Sequence, residues 1–121
     1  VLTFPGGRIE PDPAVLPGAV EALDRWSSSV DLFARLTPGL AIVPVVVSGV
    51  ISRAALRNPL TRLRRHRRDR EWLAASLQML APALRDVTVR VEFGRPAYAG
   101  PDVCDAVRAE AKRLMERQKA R

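Results

Sequence analysis

The stretch that decides the fold is LAIVPVVV, residues 40–47. It is a short, continuous apolar run, rich in β-branched side chains, with turn-forming residues on both sides. Such a run is typical of a strand that is buried on both faces, as in parallel sheets flanked by helices. Pro44 conflicts with a regular strand, because proline has no N–H to donate to the ladder. Its presence predicts an edge, a bulge or a functional irregularity at this point.

Helical patterns precede and follow this strand. Apolar residues recur at helical spacing over residues 14–36, in two pieces, and shorter helices are expected over 52–57 and 60–70. Residues 71–84 give the clearest amphipathic pattern, with leucines recurring every three or four positions. A last helix is expected after residues 100–102, GPD, where proline and an acidic residue suit a helix start.

Two further segments have strand patterns. Residues 86–93 alternate strictly, with three valines and Phe93 on one face, which indicates a half-exposed strand near a sheet edge. Residues 1–3, VLT, are typical of the end of a buried strand. The order of strands and helices predicts an α/β fold, a mixed and largely parallel sheet flanked by helices.

Length and composition allow one soluble domain. The chain has 121 residues, of which 47% are hydrophobic and 27% charged. It opens on Val1 without an initiator methionine, so we expect residues 1–121 to be a single domain that is incomplete at its N-terminus. The single cysteine, Cys104, excludes an intrachain disulfide and a cysteine-based zinc site. No apolar run reaches the ~20 residues that a membrane-spanning helix needs.

The positive charge is concentrated in one segment. The formal net charge is +7, and residues 53–70 hold eight arginines and a single acid, whereas basic and acidic residues balance elsewhere. A basic stripe on an otherwise neutral chain indicates an anionic partner. We assign six arginines to an anionic or membrane surface: Arg57, Arg62, Arg64, Arg65, Arg67 and Arg68.

Three interpretations of this stripe remain open. Leucines and Trp72 lie beside the arginines, which suits an anionic membrane leaflet. The second interpretation is a solvated helix whose charge serves solubility. The third is nucleic-acid binding, against which the lack of interleaved aromatic residues argues.

Residues 4–13, FPGGRIEPDP, contain the second group suited to anions. The adjacent glycines Gly6 and Gly7 leave backbone N–H groups uncovered, and Arg8 offers a planar fork of donors to a phosphate or carboxylate. The prolines that follow hold the chain extended until a helix begins. The arrangement is suited to an anion-binding corner, and an ordinary turn is the alternative.

Four blocks of the sequence, taken in order, resemble the glycerolipid acyltransferase family, whose best-known members are the lysophosphatidate acyltransferases. They are FPGGR at residues 4–8, LPGA at 16–19, IVPV at 42–45 and VRVEFGRP at 89–96. The family has a Phe-Pro-Glu-Gly-Thr-Arg block, a Lys-Gly-Ala-like helix start, an Ile-Val-Pro-Val strand and a later strand ending in Gly-Lys-Pro or similar. Under this resemblance Pro44 is an expected residue.

The resemblance implies a phosphate-binding corner. It assigns Gly6, Gly7 and Arg8 to the phosphate of the acceptor, with Phe4, Pro5, Glu10 and Pro44 in support. Gly6 stands where the family has glutamate, and Arg8 falls one position early, which leaves the identity of the acceptor open.

The family's catalytic His-x4-Asp pair is missing. His66 and Asp69 have the wrong spacing and follow the Gly-Arg block, whereas the family's pair precedes it. The chain therefore resembles the C-terminal portion of a phospholipid/glycerol acyltransferase domain, and we expect it to be inactive alone. A non-catalytic relative that only binds phosphate is a further alternative.

The implied reaction moves a fatty acyl group from acyl-CoA or acyl carrier protein to a hydroxyl of a lysophospholipid or glycerophosphate. The thioester is a substrate, so neither a cofactor nor a metal is expected. The implied location is cytoplasmic, peripheral at the inner face of the membrane. The alternative function is a basic module that binds nucleic acid or another anionic surface without catalysis.

Overall fold

Six helices and four short strands make up the part of the chain that the computed structural model describes, residues 1–119 without the side chains of residues 67, 68 and 119. The helices are α1 (Ala19–Ala22), α2 (Ser29–Leu36), α3 (Arg53–Arg57), α4 (Pro59–Arg62), α5 (Arg67–Leu80) and α6 (Val103–Lys119). Single 3-10 turns lie at Leu23–Arg25 and Pro82–Leu84. The strands are β1 (Ala41–Ile42), β2 (Val45–Ser48), β3 (Arg90–Phe93) and β4 (Ala97–Tyr98).

The four strands form one interrupted antiparallel ribbon. β2 pairs with β3, and β1 pairs with β4 beyond a break. At the break, residues 43–44 on the first side face residues 94–96 on the second, so the second side carries one extra residue and forms a bulge. Across it the Gly94 N–H donates to the Pro44 carbonyl oxygen at 2.8 Å. Pro44 therefore marks a bulge, one of the irregularities that a proline in a strand predicts.

The expectation of a largely parallel sheet is wrong, because both strand pairs in the described residues are antiparallel. The physical reason lies in the apolar run at residues 40–47. Val46 faces the core, whereas Val43, Val45 and Val47 point away from it and are exposed. A strand with apolar residues on its solvent face has the same sequence pattern as a strand buried on both faces.

The two other predicted strand segments also differ from the structure. β3 begins at Arg90 rather than at residue 86, because its partner β2 ends at Ser48, opposite Arg90. Residues 1–3 belong to none of the four strands, and the side chains of Val1 and Leu2 are exposed.

α6 supplies most of the core and covers the inner face of the ribbon. One cluster packs Val46 of β2 against α1 and the second half of α6, including Leu114. A second cluster packs α2 against the first half of α6, with Ile42 and Ala97 of the ribbon at its margin. The described structure therefore has a helical layer on one side of the ribbon, and α6 positions that layer.

The arginine-rich segment begins with two single-turn helices, and the second ends at Arg62, so the helix expected over residues 60–70 is interrupted. The Ser52 hydroxyl caps α3 by accepting a hydrogen bond from the Ala55 N–H at 3.3 Å. The Asn58 side chain caps α4 by accepting from the Leu60 N–H at 3.0 Å. Each helix starts at a capping residue that the sequence provides, and Pro59 at the first position of α4 fits that start.

α5 packs through fully buried small residues and half-buried leucines. Ala74 of α5, Ala55 of α3 and Thr61 of α4 are fully buried, and α5 contacts both short helices. Leu80, at the end of the leucine pattern, is exposed. The predicted helix is present, with Ala74 fully buried and with Leu73 and Leu77 of the leucine stripe half-buried beside it.

Candidate anion-binding loop

The loop that opens the chain is fixed at two places near its middle. The Ser27 N–H donates to the Pro5 carbonyl oxygen at 3.0 Å. Farther along, the Trp26 indole N–H donates to the carboxylate of Glu10. Both contacts come from the segment between α1 and α2, so residues 5 and 10 are tied to the same support and residues 6–9 form the tip between them.

A third attachment is made by the buried carboxylate of Asp12. It accepts hydrogen bonds from three consecutive amides after β2: Gly49 at 3.0 Å, Val50 at 2.7 Å and Ile51 at 3.3 Å. Asp12 is 8% exposed. Consecutive N–H groups of this kind form an anion-binding nest, and here a side chain of the same protein occupies it. We call this arrangement the Asp12 clamp.

Gly49 is required at the clamp for two reasons. Its φ of +71° lies in the left-handed region, and a Cβ at this position would collide with the carbonyl oxygen of Thr88. Local sequence patterns do not predict the clamp, since its two parts are separated by 37 residues or more. The available signal was an acid between two prolines and a glycine directly after a strand.

The tip of the loop exposes Arg8 without an intramolecular partner. Gly7 has a φ of +59° and closes a turn by donating to the Phe4 carbonyl oxygen at 3.0 Å. Within the described residues, the Arg8 guanidinium makes no hydrogen bond or ion pair, and the backbone N–H groups of Arg8 and Ile9 find no acceptor. One guanidinium and two amides are therefore available to an anion.

The space beside Gly6 is occupied by Glu10. A Cβ at position 6 would collide with the Glu10 carboxylate, which also accepts from Trp26. Gly6 thus makes room for the residue that fixes the loop.

Pro44 lies at the ribbon bulge, where its ring packs against Gly94, and not at the loop that opens the chain. Its Cγ would be 2.8 Å from a Cβ at Gly94, so only glycine fits there. The Glu110 carboxylate accepts from the Arg113 guanidinium, and also from the backbone N–H of Arg95 at 2.8 Å. These two hydrogen bonds, the one from Arg113 first, lower the pKa of Glu110 to about 2.

A shallow cleft of about 430 Å³ adjoins the clamp. It lies between the opening loop, the turn after β2 and residues 83–88. Arg53, on its wall, donates to the Ala14 carbonyl oxygen at 3.1 Å. This contact connects the first residue of α3 to the opening loop.

The arginine-rich segment presents apolar and basic side chains together. Leu60, Leu63 and Trp72 are exposed, and Leu63 reaches 78%. The exposed arginines that accompany them are Arg57, Arg62, Arg64 and Arg65. The side chains of Arg67 and Arg68, also assigned to this surface, lie outside the described residues. We call residues 57–72 the basic segment.

Comparison with family models, with curated proteins and with solved structures finds no match to this chain. Among the helices of residues 1–119, none combines the length and apolar character that crossing a membrane requires. Within the same described part, no group of three or more His, Cys, Asp and Glu side chains is arranged to hold a metal ion. Functional inference therefore depends on the loop and the basic segment themselves.

Proposed function

We propose that this chain is the acceptor-binding portion of a glycerolipid acyltransferase. In the proposed reaction a fatty acyl group moves from acyl-CoA or acyl carrier protein to a hydroxyl of a lysophospholipid or glycerophosphate. The part of this chain is to hold the acceptor phosphate at the loop tip. The His-x4-Asp pair that activates the hydroxyl in the family is not among these 121 residues. The chain alone is expected to bind acceptor without transferring acyl groups.

The observation that carries the proposal is the unpartnered Arg8 on a loop fixed by Ser27, Trp26 and the Asp12 clamp. A phosphate monoester needs several donors that converge on one point, and a guanidinium with neighbouring amides supplies them. Because the loop is already attached on both sides of its tip, little conformational freedom is lost when the anion binds.

Exposed apolar side chains favour a lipid acceptor over glycerophosphate without a chain. Phe4 and Ile9 are both exposed and stand on either side of the Gly6-Gly7-Arg8 sequence. Apolar surface thus adjoins the phosphate donors in both directions along the chain. A lysophospholipid offers a phosphate and an acyl chain in the same molecule, and so matches both features.

The same proposal gives the chain a peripheral position at the inner face of the membrane, where such an acceptor resides. The basic segment supports this location, because Leu60, Leu63 and Trp72 are exposed among arginines. Each arginine close to an anionic leaflet contributes about 1 kcal/mol, and exposed leucine and tryptophan side chains add apolar insertion. Aliphatic side chains have no comparable role in binding nucleic acid, where bases stack on aromatic rings.

Acceptor binding by the full chain tests the function. Glycerol 3-phosphate and lysophosphatidate are titrated by calorimetry into the wild type and into Arg8→Ala. We expect the substitution to weaken both affinities about tenfold or more, because a charge-assisted hydrogen bond contributes about 1.5–3 kcal/mol. Lysophosphatidate is expected to bind more tightly than glycerol 3-phosphate.

The matched control is Arg35→Ala, which removes another exposed arginine, on α2. It is expected to leave both affinities unchanged. Equal affinities of the wild type and Arg8→Ala, or an equal loss of affinity in Arg8→Ala and Arg35→Ala, would contradict a phosphate-binding role of the loop.

A further inference from the structure

The ribbon has one covered face and one bare face. The inner face packs on the helices through Val46 in the middle and through Ile42 and Ala97 at the far end. The side chains that alternate with these point to the opposite side. They are Val43, Val45, Val47, Val91, Phe93 and Tyr98, and their exposed fractions range from 39 to 71%. We call this set the outer face.

The outer face is contiguous and carries no charge. Val45 lies directly opposite Phe93, and Val47 directly opposite Val91, so four of the side chains form a closed group across the two strands. The six exposed portions together amount to on the order of 500 Å², near the upper end of what a monomeric protein leaves uncovered. A surface of this kind marks an interaction site.

We propose that two copies of this chain associate through their outer faces, as a sheet-on-sheet interface with two-fold symmetry. Two such faces bury about 1,000 Å² in total, which reaches the lower bound for a specific interface. An apolar, two-stranded surface is complementary to itself when two sheets stack about 10 Å apart. This inference stands independently of the proposed function.

The charge distribution favours a second copy over an anionic partner. The positive excess of the chain lies in residues 53–70, and none of the six outer-face side chains is charged. Pairing of two outer faces therefore brings no arginine of the basic segment into the interface core. A phosphate-bearing partner, by contrast, needs basic side chains to pair with its negative charge, and none of the six outer-face residues is basic.

Sedimentation equilibrium of the full chain over a roughly hundred-fold concentration range tests the dimer. We expect a reversible monomer–dimer equilibrium in the wild type. Phe93→Glu and Phe93→Lys each place like charges on the two facing surfaces, and each is expected to weaken association at least tenfold. A mixture of the two variants places opposite charges face to face and is expected to restore association, which non-specific aggregation would not do.

The control is Leu36→Glu, because Leu36 and Phe93 are both 71% exposed but Leu36 lies on α2, in the layer behind the inner face. It is expected to leave association unchanged. A monomeric wild type throughout the range overturns the proposal, as does an equal effect of Leu36→Glu. A monomer that binds neutral vesicles through Phe93 would also overturn it, by assigning the face to lipid. If a variant does not fold, the wild-type measurement alone decides.

Discussion

The outer face of the ribbon and the basic segment are both exposed and apolar, yet their surroundings differ. The six side chains of the outer face, Phe93 among them, carry no charge, whereas Leu63 and Trp72 stand among exposed arginines. The comparison shows that exposed apolar area does not by itself define a partner. The charges beside it do, since an uncharged face matches a second copy and an arginine-rimmed one matches an anionic surface.

The largest expected effect comes from removing the Asp12 clamp. The clamp holds the turn between β2, which belongs to the ribbon, and α3, which leads into the basic segment. Asp12→Ala leaves four amides without their acceptor, those of Ala14 and of residues 49–51, and is expected to lower the free energy of unfolding by about 3 kcal/mol. Urea unfolding measures that loss. Hydrogen exchange is expected to accelerate most at residues 49–51 and to change less in β3.

Asp24→Ala is the control for this substitution, because Asp24 is an exposed acid in the 3-10 turn after α1. It is expected to change the free energy of unfolding by less than about 0.5 kcal/mol. If Asp12→Ala were no more harmful than this control, the clamp would not connect the opening loop to the ribbon.

The second prediction is that salt affects binding through the basic segment and association through the outer face in different ways. Raising the salt concentration from about 0.1 to about 1 M shortens the Debye length from about 10 to about 3 Å. We expect binding to vesicles containing anionic lipid to fall at least tenfold, because Arg57, Arg62, Arg64 and Arg65 of the basic segment are exposed. Self-association through the outer face is expected to hold or strengthen, since it is apolar.

Co-sedimentation with neutral and anionic vesicles measures the first half of this prediction. Leu63→Glu is expected to reduce vesicle binding, while Leu36→Glu, equally a leucine on the surface, leaves it unchanged. Equal binding to neutral and anionic vesicles would contradict the electrostatic contribution. A salt-dependent shift with mixed-sequence DNA and none with vesicles would assign the basic segment to nucleic acid.

The smallest expected effect concerns Glu110, which holds the bulge between Phe93 and Tyr98 of the outer face. Glu110→Gln weakens its hydrogen bonds to Arg113 and to the Arg95 N–H, and is expected to lower the free energy of unfolding by about 1 kcal/mol at neutral pH. The basic segment is not attached to this carboxylate, so vesicle binding by the variant should match the wild type.

The pH dependence of this effect follows from the depressed pKa of Glu110. The folded-state pKa of about 2 lies below the ordinary value of 4.5. The stabilisation is therefore complete above the ordinary pKa and is lost as the pH falls from about 4.5 towards 2. Urea unfolding at several pH values should show wild type and Glu110→Gln converging over that range. The control is Glu116→Gln, at an exposed position on the same helix, and it is expected to change the free energy of unfolding at neutral pH by less than about 0.5 kcal/mol.

Local sequence patterns predicted the elements that depend on one segment alone. Helix α6 begins directly after the expected start at residues 100–102, and helix α5 (Arg67–Leu80) overlaps the expected range of 71–84 but begins and ends four residues earlier. These succeed because helical periodicity and capping are local properties. The strand at residues 40–47 was located as well, in two pieces around Pro44.

The pairing of the strands and the Asp12 clamp could not be predicted from local sequence patterns, because each joins segments that are distant in the sequence. The valines of β2 gave no sign that one face is bare, because solvent-facing and core-facing positions are equally apolar. The position of Asp12 between two prolines was a local signal, but its acceptor role depends on amides at residues 49–51, which are distant in the sequence. The Gly6-Gly7-Arg8 tip was identified, but the function of Glu10 in filling the space beside Gly6 emerged only from the structure.

The bulge at residues 94–96 leaves a readable trace in the sequence. Before it, Val91 and Phe93 reach the outer face from odd positions, and after it Tyr98 reaches the same face from an even one. The extra residue in the bulge shifts the alternation of inward-facing and outward-facing side chains by one position. The outer face therefore stays apolar only if the apolar residues change from odd to even positions across the bulge. In homologous sequences that preserve this face, the switch from odd to even apolar positions across a Gly-x-Pro spacer is the signature by which selection on the surface can be recognised.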